Sequence, residues 1–151
     1  MKITICGSAA FYDEMLAVKE KLEQMGHKVK LPPHEIEDGD GNTLPIKEYY
    51  RKRKLANEDE KWIRDRKTEA ITRHFAKINW SDVILLLNYD KNNIKGYIGG
   101  NSLIEMGVAF FLKKRIYLLN PIPEISYKEE ILGMKPIILN GDLNLISQFQ
   151  Q

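Results

Sequence analysis

The segment Gly96-Tyr97-Ile98-Gly99-Gly100-Asn101-Ser102-Leu103-Ile104-Glu105-Met106-Gly107 joins a glycine-bearing turn to an apolar helix that carries one carboxylate near its start. Glycines let a ligand approach the backbone closely, and free N–H groups at a helix N-terminus suit phosphate or sugar hydroxyls. Gly100, Asn101 and Ser102 are therefore candidates for holding such groups. Glu105 is the carboxylate that would act on them, as a nucleophile toward an electrophilic carbon. A structural role competes with this one. Ser102-x-x-Glu105 has capping-box spacing, in which the glutamate only satisfies a backbone N–H at its own helix start.

Charge offers a second candidate. Between Lys47 and Lys77 there are 11 Lys/Arg and 6 Asp/Glu, against a net charge of +2 for the whole chain. Arg51-Lys52-Arg53-Lys54, with Arg64, Arg66, Lys67 and Arg73 beyond, would clamp a nucleotide phosphate, or would simply form a solvated helix face with the interspersed carboxylates. Tyr49 and Tyr50 supply aromatics, but no nucleic-acid-binding motif accompanies them, so nucleic acid is not an expected partner. Asp38-Gly39-Asp40-Gly41-Asn42 starts like a calcium loop, yet position six is Thr43 and position twelve is Tyr49 rather than a bidentate glutamate. His27, His34 and His74 lack ligand spacing, so neither a metal nor a cofactor is expected. The single cysteine, Cys6, lies in an apolar run. It reads as a small buried hydrophobe, and a reducing cytoplasm suits it.

These residues need a scaffold. Leu, Ile, Val and Phe make 43 of the 151 residues, enough for a folded core in one compact domain spanning 1–151. No apolar run approaches the ~20 residues of a bilayer-spanning helix, so no membrane association is expected, and the opening residues read as a strand instead of a signal. Strands are expected at Ile3 to Cys6, His27 to Leu31, Val83 to Leu87, Ile116 to Leu119 and Ile137 to Leu139. Helices are expected from Tyr12 to Met25, over Ile46 to Ala56, through the second half of the charged stretch, where Ile63, Ala70, Ile71, Phe75 and Ile78 line one face, from Ser102 to Leu112 and from Leu143 to Phe149, with residues 34 to 45 as loop. The alternation predicts a flavodoxin- or Rossmann-like doubly wound parallel α/β sheet of about five strands. Ligands bind such sheets beyond the carboxyl ends of the strands. This adds Gly7, Ser8 and Phe11 after strand one and Asn88 and Asp90 after strand three to the candidate site.

The strand ending in Gly7-Ser8-Ala9-Ala10-Phe11, the run Ser81-Asp82-Val83-Ile84-Leu85-Leu86-Leu87, the string Ser102-Leu103-Ile104-Glu105-Met106-Gly107-Val108-Ala109 and Lys114-Arg115-Ile116-Tyr117-Leu118-Leu119 together resemble the nucleoside 2-deoxyribosyltransferase family. The resemblance covers about residues 1 to 20 and 80 to 120. It implies that Glu105 is the nucleophile that takes the anomeric carbon of a (deoxy)nucleoside or nucleoside 5′-monophosphate. It also implies a homo-oligomer, for which the apolar helix 102 to 112 would supply the surface. Gly99-Gly100-Asn101-Ser102-x-x-Glu105 resembles, with Asn101 in place of a glycine, the signature of the "Lonely guy"-type nucleotide phosphoribohydrolases. One departure stands out. The transferases usually carry an aspartate about six residues before the nucleophile, where this chain has Gly99, and Asp90 or Asp13 would have to substitute. A binding module that senses a nucleotide without turning it over is the alternative implied by that departure.

Overall fold

The computed structural model describes residues 1–37, 40–55 and 61–148. Asp38 and Gly39 of the calcium-like stretch, Glu58 to Glu60 of the charged stretch and Phe149 of the last expected helix lie outside them. Five parallel strands form the sheet: β1 (Lys2–Gly7), β2 (Lys28–Lys30), β5 (Val83–Leu87), β6 (Arg115–Leu118) and β7 (Ile137–Ile138), in the order β2-β1-β5-β6-β7. Counting only these strands, the order is 2-1-3-4-5, the flavodoxin-like arrangement the alternation predicts. β5 is buried at all five positions because it sits in the middle of the sheet with helices over both faces.

Side-chain alternation along β1 divides the core. Ile3 and Ile5 face the layer that contains α1 (Tyr12–Gln24), through Met15, Val18 and Leu22, and α6 (Leu145–Gln148), through Ile146. Cys6 faces the opposite layer, made by Ile78 of α3 (Lys61–Trp80), Met106 and Ala109 of α4 (Gly100–Phe111), and Ile131 of α5 (Lys128–Gly133). Each fully buried Ile, Leu or Met contributes about 1.5–3 kcal/mol of transfer free energy to this packing.

The region expected as loop holds a small antiparallel hairpin, β3 (Glu35–Glu37) and β4 (Thr43–Pro45), pairing Ile36 with Leu44. Three-residue strands with one apolar residue each are too short to show a period in sequence. α2 (Ile46–Leu55) follows directly. Helix α4 buries Ser102, Met106 and Ala109, whereas Phe110 and Phe111 at its end are exposed. Among the described residues, no helix is long and apolar enough to cross a membrane.

The connection from β5 to α4 is held by Asn88, which is fully buried. Its Nδ2 donates to the carbonyls of Gly96 (3.3 Å), Asn120 (2.9 Å) and Pro121 (3.1 Å), while its Oδ1 accepts the Asn120 N–H at 2.9 Å. Gly96 sits at φ +64°, and a Cβ there would lie 2.6 Å from the Pro121 carbonyl oxygen, so the contact requires glycine. The Asp90 carboxylate accepts the Gly96 N–H at 2.9 Å. Asn88→Ala strips partners from these backbone groups and is expected to cost about 2–4 kcal/mol, read as a lower urea midpoint with unchanged slope. A loss below about 0.5 kcal/mol would show that the clamp does not hold the loop.

Candidate active site

β1 and β5 are neighbours, and their register runs to Gly7 opposite Leu87. The chain leaves β1 toward α1 on one face and leaves β5 toward α4 on the other, so the crevice of a doubly wound sheet opens here. Gly7 has φ +146°, and a Cβ would press to 3.1 Å from both the Leu87 carbonyl oxygen and Met15 Cε. Ser8 then ties the two turns together, because its Oγ accepts the Lys91 ammonium at 2.8 Å and the Ala10 N–H at 3.3 Å.

Two neighbouring chambers occupy the crevice. The inner one, about 70 Å³, is walled by a stripe of α3 (Lys67, Ala70, Ile71, His74, Phe75), by Asn101, Ile104 and Glu105 of α4, by Gly7, and by Pro32, Ile36, Ile46 and Tyr50 from the strand-two side. The α3 residues lie three and four apart, which puts them on one face of that helix; Asn101 and Glu105 share a face of α4 for the same reason. The outer chamber, about 660 Å³, is lined by Lys47, Arg51, Arg53, Lys54, Lys67 and Lys91, together with Tyr97 and the α4 start at Gly100, Asn101 and Ser102. No carboxylate lines it among the described residues. Its volume is that of a ligand site, and the inner chamber has room for only part of a ligand. Tyr50, Lys67, Asn101 and Ala9 border both.

Gly99 is the N-cap of α4, and no side chain caps it. Glu105 is therefore in the second turn, too far along to satisfy the first N–H groups, and the capping-box expectation is corrected. The first turn, Gly100 to Ser102, lines the outer chamber, where the positive end of the helix dipole favours an anion. Lys67 Nζ donates to Asn101 Oδ1 at 2.6 Å, which fixes the amide at the neck between the chambers. Arg53 stacks at 5.9 Å over the Tyr50 ring.

At the floor, Cys6 Sγ lies 3.4 Å from His74 Nε2, and the same nitrogen lies 3.7 Å from Glu105 Oε1. Burial pushes the Glu105 carboxyl up to about 8, with the Cys6 thiol and the Lys67 charge pulling weakly the other way. Burial and then the Lys77 charge lower the His74 imidazole to about 4. Burial, then the Glu105 charge, raises the Cys6 thiol. Burial thus favours the uncharged form of all three at neutral pH. His74 Nδ1 and Glu105 Oε2 are buried and make no hydrogen bond among the described residues.

Of the residues singled out in sequence, Gly7, Asn101 and Glu105 meet in the inner chamber, and Ser8, Gly100, Asn101 and Ser102 line the outer one. Phe11, Asp13, Asn88 and Asp90 line neither. Phe11 packs edge-on against Tyr89 at 5.1 Å, Asp13 is an exposed partner of Lys47 at 2.5 Å, and Asn88 and Asp90 hold loop backbone. Neither aspartate thus stands in for the one missing at Gly99. A Cβ there would meet the Tyr97 ring at 3.2 Å, so an aromatic ring borders the position the aspartate would take. Sequence reasoning missed Cys6 and His74 as site residues. His74 could have been found as a polar residue set at helical spacing among the apolar Ala70, Ile71 and Phe75 of the α3 stripe.

Two solved structures resemble this fold over most of their length. A conserved protein from Enterococcus faecalis V583 superposes with a TM-score of 0.52 at 16% identity, covering 97% of this chain and 95% of its own. The 2-deoxyribosyltransferase from Bacillus psychrosaccharolyticus superposes with a TM-score of 0.50 at 17% identity, covering 80% and 73%. The chain has a nucleoside 2-deoxyribosyltransferase-like fold. A CMP N-glycosidase from Clostridium botulinum gives a TM-score of 0.49 at 15% identity, covering 91% of this chain and 85% of its own. No family model and no curated protein matches the sequence. In this deoxyribosyltransferase-like fold, the crevice between β1 and β5 is where the carboxylate and the cationic chamber meet.

The burial of Glu105 has a signature in stability. The folded protein keeps this proton up to about pH 8, whereas the unfolded chain releases it near 4.5, so stability from this group is complete below 4.5 and is lost as pH rises through 8. Glu105→Gln should melt with wild type near pH 4.5 and above it at pH 8, the gap widening by up to about 1.4 kcal/mol per pH unit in chelator-treated buffer. Parallel melting curves across that range would contradict the burial described here.

Proposed function

We propose that this chain is an enzyme that breaks or transfers the N-glycosidic bond of a (deoxy)nucleoside 5′-monophosphate, with Glu105 as nucleophile. One observation carries this reading: a carboxyl group in a mainly apolar chamber that borders a second chamber lined by six cationic side chains and a helix start. The B. psychrosaccharolyticus transferase, which has a similar fold, supports it. The anomeric side of the sugar reaches into the inner chamber, and the rest of the nucleotide stays in the outer one, its 5′-phosphate on Arg53, Lys67 and the α4 start, where guanidinium and backbone donors suit its oxygens. The ionised Glu105 attacks the anomeric carbon, the C–N bond breaks with its electron pair going to the base, and the base nitrogen takes up a proton from solvent. The glycosyl ester is then opened by water, which makes the chain a hydrolase, or by a second base, which makes it a transferase. Because burial holds the carboxyl near 8, only a fraction is ionised at pH 7, and the rate rises with pH through that value.

Chromatography of products from a panel of nucleosides and their 5′-monophosphates tests this directly. Free base is expected from the monophosphates, with kcat falling on the order of 10⁴-fold in Glu105→Gln. Lys67→Ala and Arg53→Ala are each expected to raise KM for the monophosphate by about tenfold or more while affecting the plain nucleoside little. Ligand-dependent melting without product from any panel member would instead identify a sensing module.

A further inference from the structure

We propose that Cys6, His74 and Glu105 form a binding site for a borderline-soft divalent metal ion, zinc above all. Their donor atoms come from β1, α3 and α4 and all lie within 4.8 Å of one another. Tetrahedral zinc, with bonds of about 2.0–2.3 Å to S, N and O, sets neighbouring donors roughly 3.3–3.6 Å apart. The thiol and imidazole are 3.4 Å apart, and the imidazole and carboxylate 3.7 Å. The arrangement is unlike a proton relay. In a relay the nucleophile and the orienting carboxylate use opposite ring nitrogens, whereas here both approach Nε2 and Nδ1 contacts neither.

Chemistry selects the ion. A thiolate, an imidazole and a carboxylate suit zinc and exclude magnesium and calcium, which demand oxygen ligands. Binding displaces two protons to solvent, one from the Cys6 thiol and one from the Glu105 carboxylic acid. The resulting dication, thiolate and carboxylate sum to zero charge, which spares the enclosed site an uncompensated ion. A fourth position remains toward the chamber that His74 and Glu105 line. The ion would occupy the carboxylate used in the glycosidic reading, so the zinc-loaded protein would be silent in that assay; this consequence alone rests on that reading.

Cobalt(II) titrated into the chelator-stripped full chain provides the test. Cys6 is the sole cysteine, so any thiolate-to-cobalt band in the near ultraviolet reports that residue. One cobalt per chain is expected, with that band and intense tetrahedral visible bands, both abolished by zinc. Glu105→Gln should keep the thiolate band and weaken binding at least tenfold; Cys6→Ser should lose the band. Absence of the band from wild type at excess cobalt overturns the proposal, as does unchanged affinity in Glu105→Gln. The spectra require no turnover, so failure of the glycosidic assay and failure of metal binding are distinguishable.

Discussion

Because β1 and β5 pair in parallel while their following connections leave on opposite faces, the backbone parts beyond Gly7 and Leu87 and cannot close over the gap. Everything in the site is hung from this divergence. The same ladder aims Cys6 at the layer of α3 and α4, and the loop clamped by Asn88 delivers the start of α4 to the rim. Gly7 keeps the opening at its sheet end, since a side chain there would press against β5 and α1.

The crevice combines two opposed environments within a few ångströms. At the floor, desolvation holds three ionisable side chains in their neutral forms; at the mouth, six cations and uncapped amides face water. A floor built this way works against folding, because each group would gain solvation free energy if released. The large apolar clusters on both faces of the sheet supply the stability that tolerates it.

Much of the scaffold is legible in the amino-acid sequence, for identifiable reasons. Val83 to Leu87 can only be a central strand, and Glu105 stands out as the carboxylate of an otherwise apolar helix. Spacing alone could not settle where α4 begins, and moving its cap from Ser102 to Gly99 changes Glu105 from a helix stabiliser to a chamber residue. Asn88 and Asp90 follow a strand as ligand-binding residues do, but bond to backbone across the loop, a non-local fact no spacing records. The pairing of Cys6 with His74, 68 residues apart in the chain, arises only when α3 crosses over β1. Charge patterning placed the cations but not their convergence, which depends on α2 and α3 meeting at the rim.

Tyr50, Lys67 and Asn101 stand between the two chambers, and in the proposed reaction that border would impose a sequence of events on a nucleotide. On the proposed reading, a nucleotide too long for the inner chamber would reach the floor with its other end still in the outer chamber. In that reading a small product could leave while a still-anchored remainder would block a second full-sized molecule. Residence at the rim would then set how often the floor is revisited, and tighter anchoring would lengthen each visit at the expense of the next arrival.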